Sequence, residues 1–71
     1  LFMAQHWTET VTDSLSLAQA FMFDFNPSKG DKIAHERAES FAARCAGGAD
    51  MFWTALEAYM GRSEVKRIRS L

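Results

Sequence analysis

Between residues 2 and 25 the large apolar side chains recur at helical spacing. At ~100° per residue, Met3, Trp7, Val11, Leu15, Ala18, Phe21, Met22 and Phe25 fall within about 60° of one direction. Glu9, Asp13, Ser16 and Gln19 fall away from it. The pattern predicts one amphipathic helix over about 2–25. The run Thr8-Glu9-Thr10-Val11-Thr12 is rich in β-branched residues, which favour strand. Strict alternation does not extend beyond it, so the helix reading stands.

The rest of the chain divides at its glycines and its proline. Pro27 disfavours helical geometry at Asn26 and ends the first helix. The next helix starts either with Asn26 as cap and Pro27 as first residue, or with Asp31 as cap after a turn at Gly30. The second choice is preferred, giving a helix over about 31–46. Ala34, Ala38, Phe41 and Cys45 share one face of it, flanked by Arg37 and Arg44, whose aliphatic stems suit the edge of a core. Gly47-Gly48 is a stop signal.

A third helix follows over about 51–61, with Asp50 as cap and Phe52, Trp53, Leu56, Tyr59 and Met60 inward. Met51 points elsewhere. Val65 and Ile68 lose phase with that stripe, which predicts a break at Gly61 and a short helix over about 63–70 capped by Ser63. A third helix that continues past Gly61 is the other form. With connections this short, the expected fold is all-α: a small antiparallel three-helix bundle, a single domain over 1–71.

Size sharpens what such a bundle needs. A core made by 71 residues rarely supplies more than ~3–5 kcal/mol net. Cys45 is the single cysteine, so no intrachain disulfide adds to it, and a reducing intracellular compartment is the simpler setting. The longest apolar runs are of four residues, Ala20-Phe21-Met22-Phe23 among them, so no transmembrane segment is expected. The chain begins at Leu1, which predicts a trimmed or partial chain. The net charge of −1 hides an asymmetry. Residues 1–28 carry Glu9, Asp13 and Asp24 with no Lys or Arg, whereas Arg62, Lys66, Arg67 and Arg69 outnumber Glu64 in the last ten positions.

Nothing in the sequence has catalytic or metal-ligand spacing. His35 and Glu39 sit one turn apart, but a third ligand at helical spacing is missing, so they read as a solvated face. His6 lies at the edge of the first stripe. Cys45 falls at a helix C-terminal end, where the dipole disfavours a thiolate, and reads as core. Asp13-Ser14-Leu15 resembles the tripeptide that carries phosphopantetheine in acyl carrier proteins. Too little chain precedes it for a carrier domain, and the wheel puts Ser14 inside the first helix. The second and third helices have helix–turn–helix spacing, but the segment Met51–Tyr59 has no basic residue to read base edges.

These observations predict a non-catalytic helical protein–protein interaction module without cofactor or metal. It would be a small accessory subunit of a larger assembly, or a regulator or inhibitor of one partner. Its partner would be another protein chain, in a homo-oligomer or a larger complex. A first helix of ~24 residues would reach about 36 Å, longer than its neighbours can cover, leaving an apolar patch around its Met3–Trp7–Val11 end. Aromatic residues and Met are enriched at interface centres, so Met3, Trp7, Phe21, Phe23, Phe52 and Trp53 are the expected partner contacts. The alternative is a dimeric nucleic-acid-binding regulator that uses Arg62, Lys66, Arg67 and Arg69 on phosphates.

Overall fold

The computed structural model describes residues 11–71. They form α1 (Ser14–Asp24), a 3₁₀ turn (Pro27–Lys29), α2 (Asp31–Ala43), α3 (Ala49–Met60) and α4 (Arg62–Arg69), with no strand among the described residues.

The first helix starts later than its apolar stripe suggests. Asp13 is extended (φ −75°, ψ 145°), and its carboxylate accepts the Ser16 N–H at 2.9 Å. That side-chain cap satisfies a donor that the first helical turn leaves without an intrahelical partner. Val11 and Thr12 are not helical, so the continuous helix over 2–25 is corrected there; its Met3–Trp7 end lies outside the described residues. β-branched Val11 and Thr12 lose rotamer freedom in a helix, and Asp13 competes for backbone donors. The Thr12 carbonyl accepts the Ala46 N–H at 2.8 Å instead, tying this segment to the turn between α2 and α3. At the other end Phe25 is extended, and Asn26 caps the 3₁₀ turn with its side chain.

α2, α3 and α4 share a different kind of start. Each is preceded by a glycine, Gly30, Gly48 or Gly61, with φ of 88–107° and ψ of 157–162°. No side chain caps these helices, which corrects the expected caps Asp31, Asp50 and Ser63; all three residues lie inside the first turn. α2 also stops at Ala43, before the Gly47-Gly48 pair.

With α1 only 11 residues long, against 13 in α2 and 12 in α3, the helix-length mismatch expected from the sequence does not occur among the described helices. α3 packs against α1, α2 and α4. The core takes Leu17, Ala18 and Phe21 from α1 and buried Ala34, Ala38 and Ala42 from α2, with half-buried Phe41 of α2 packed against it. Small residues there let the neighbouring helices approach closely. Phe52, Trp53, Ala55 and Leu56 come from α3 and Val65 and Ile68 from α4. The break at Gly61 redirects the chain, so the face of Val65 and Ile68 turns into this core.

Aromatic rings fill its centre. Phe52 lies between Phe21 (6.3 Å, edge-on), Phe41 (6.2 Å, stacked) and Trp53 (5.5 Å, edge-on). Tyr59, expected inward, is 46% exposed, and Met60 is partly buried against the core.

Candidate interaction surface

The outer face of α1 is the most distinctive surface among the described residues. Phe23 is 94% exposed and Leu15 60%. They lie eight residues apart with exposed Gln19 midway, so the three form one stripe along the helix. No Lys, Arg, Asp or Glu occurs from Ser14 to Phe23. The first charge is Asp24, which pairs with Arg37 of α2. Leu15 belongs to the stripe expected to face the core, yet points outward. α3 and α2 cover only the arc of Leu17, Ala18 and Phe21, leaving Leu15 in solvent.

The expected partner contacts divide. Phe23 lies on the surface as expected. Phe21, Phe52 and Trp53 do not, with at most 2% of their surface exposed, so they are corrected to core residues. In each apolar triplet the structure exposes one large residue, Phe23 in Phe21-Met22-Phe23 and Met51 in Met51-Phe52-Trp53. Trp53 is buried because α4 lies over it. The Arg69 guanidinium stands 5.2 Å from the centre of its ring, a cation–π contact. Met3 and Trp7, like His6, lie outside the described residues.

The basic segment is partly engaged within the chain. Arg67 bridges Asp31 of α2 and Glu64 of its own helix, and Arg69 pairs with Asp50 of α3. The Asp31 hydrogen bond, with that of Glu64 behind it, holds the Arg67 guanidinium still more firmly protonated than usual. The acids in the first turns of α2 and α3 therefore anchor α4. Arg62 and Lys66 are exposed and line an open groove of about 520 Å³ with Glu57, Ser63, Val65 and Arg69.

The remaining polar candidates have structural surroundings. His35 is half-buried, with Nδ1 2.9 Å from the Ile68 carbonyl and Nε2 3.9 Å from Glu39. It joins α2 to α4, which corrects the fully solvated reading. Cys45 is buried beside α2, and its Sγ donates to the Ala46 carbonyl at 3.4 Å. Ser14 occupies the first position of α1 after the Asp13 cap, not the helix interior. Among the described residues, no group of three or more His, Cys, Asp or Glu is arranged to hold a metal ion. None of the described helices is long and apolar enough to cross a membrane.

Comparison with protein-family models, with curated protein sequences and with solved structures finds no match.

Proposed function

We propose that this chain is a non-catalytic helical interaction module that binds another protein chain through the outer face of α1. The observation that carries the reading is Phe23, an aromatic side chain 94% exposed on a helix face without charge. Solvated helix faces ordinarily carry Lys, Glu or Arg. Placing a whole phenyl ring in water brings the folded chain nothing, whereas covering it yields roughly 2 kcal/mol. An antiparallel arrangement of α1, α2 and α3, with α4 docked across them, would present this face as a rigid ridge. Such a chain would serve as an accessory subunit or as a regulator of one partner.

The test is size-exclusion chromatography of extract from cells that make the chain, comparing wild type with Phe23→Glu. The wild-type chain should elute in an assembly larger than its monomer, and the variant should leave that assembly. Elution of wild type at monomer size would overturn the reading. The nucleic-acid alternative has less support, because Arg67 and Arg69 already face carboxylates, which leaves Arg62 and Lys66 to meet phosphates. Salt-dependent binding to duplex or single-stranded DNA, lost in Arg62→Ala with Lys66→Ala, would revive it.

A further inference from the structure

We propose that the partner is a second copy of this chain, bound α1 to α1 in antiparallel orientation across a two-fold axis beside Gln19. This rests on the interaction-module reading and names its partner.

The stripe Leu15–Gln19–Phe23 reads the same in both directions in chemical kind: apolar, carboxamide, apolar. A two-fold contact places the same patch on both sides, so the patch must complement itself. Turned about Gln19, the Leu15 of each copy meets the Phe23 of the other. The two Gln19 carboxamides meet each other, and each can donate an N–H to the other's oxygen. Ser16 and Met22, three residues either side of Gln19, flank the contact in the same exchange. Because residues 14–23 carry no charge, two copies meet without juxtaposing like charges.

Orientation follows from the ends. Parallel helices would set two like dipole ends side by side. Antiparallel helices oppose their dipoles instead. Association also supplies what a core of this size lacks without a disulfide. One short helix face gives an interface at the small end of the range, so the dimer should form in the micromolar range or weaker.

Sedimentation equilibrium of the full chain from ~5 µM to ~1 mM tests this. Wild type should show a monomer–dimer equilibrium. Phe23→Glu should weaken it about tenfold or more, with the helical circular dichroism unchanged because Phe23 lies outside the core. In a Cys45→Ala background, Gln19→Cys should oxidise to a disulfide dimer. Leu15→Cys alone should not, since its copies would stand ~12 Å apart along the helices, beyond the ~7 Å Cα reach of a disulfide. A wild-type chain that stays monomeric throughout overturns the proposal. So does a dimer indifferent to Phe23→Glu, or Leu15→Cys linking as readily as Gln19→Cys. If the pure chain is monomeric yet elutes from extract in a Phe23-dependent assembly, only the second-copy assignment fails, and the interaction-module reading stands.

Discussion

His35 on α2 holds the backbone of Ile68 on α4: its Nδ1 lies 2.9 Å from the Ile68 carbonyl oxygen, across 33 residues of sequence. A carbonyl oxygen only accepts, so Nδ1 carries the proton and Nε2 faces Glu39. The bond helps satisfy the last turn of a short helix, where carbonyls lack intrahelical partners. His35→Ala should cost about 1 kcal/mol. Hydrogen exchange should quicken most at the amides of α4. Long-range ¹H–¹⁵N spectra should show the proton of neutral His35 on Nδ1, and finding it on Nε2 would disprove the bond.

The two exposed-or-buried extremes among the phenylalanines make a paired prediction. Phe52 is fully buried among three other rings, so Phe52→Ala should cost about 3–5 kcal/mol. That is comparable with the whole net stability of so small a core, and no cooperative melt should remain. Phe52→Leu should keep a cooperative transition at a lower Tm. Phe23→Ala should leave the monomer within about 0.5 kcal/mol of wild type at low protein concentration. Equal damage from Phe23→Ala and Phe52→Leu would show that the burial assigned to α1 is wrong.

What the sequence could tell follows from which interactions are local. Pro27, the Gly47-Gly48 pair and Gly61 mark the breaks because each acts through its own backbone. Helix starts are less legible, because Asp31, Asp50 and Ser63 have the chemistry of side-chain caps yet a glycine backbone precedes each helix. Periodicity could not stop the first helix at Asp13, since the apolar stripe runs on through a segment whose carbonyl bonds to distant Ala46. Phe23 was legible as an outward residue from its angle to Phe21. Phe52 and Trp53 were not legible as jointly buried, since that depends on α3 being covered by three other helices. The His35–Ile68 bond joins residues with no local relation and leaves no sequence signal.

Asp13 makes acid sensitivity predictable in sign. The Ser16 N–H, followed by the Ser16 side chain, holds the Asp13 carboxyl below its ordinary value in the folded chain. The unfolded chain therefore takes up the proton at higher pH than the folded one. The cap's charge-dependent stability is present in full above the unfolded carboxyl pKa of ~3.9 and is lost as pH falls through the folded value. Asp13→Asn keeps an oxygen acceptor that does not titrate. The Tm of wild type relative to Asp13→Asn should hold steady above about pH 5 and fall below about pH 4. A difference independent of pH would mean that the Asp13 carboxylate does not cap α1.

Gly61 joins α3 to α4 and offers a test that ordinary mutagenesis cannot give. Its φ of 88° and ψ of 157° lie in a region essentially closed to L-residues. Its N–H donates to the Glu57 carbonyl at 2.9 Å and its carbonyl accepts the Val65 N–H at 3.1 Å, so relaxing the backbone would break both helix ends. A Cβ built at this position meets nothing within 4 Å, so any cost of adding one is conformational rather than steric. Gly61→Ala should therefore destabilise by about 1–3 kcal/mol. The D-alanine variant, made by chemical synthesis, reverses the sign: the positive φ is natural to it, and it narrows the unfolded ensemble, so it should stabilise by about 0.4–1 kcal/mol. For a domain of this size each kcal/mol corresponds to roughly 4–8 °C in Tm, so the two melts should separate clearly on either side of wild type. Shifts of the two enantiomers in the same direction would contradict the positive φ at Gly61, and with it the turn that brings Val65 and Ile68 into the core.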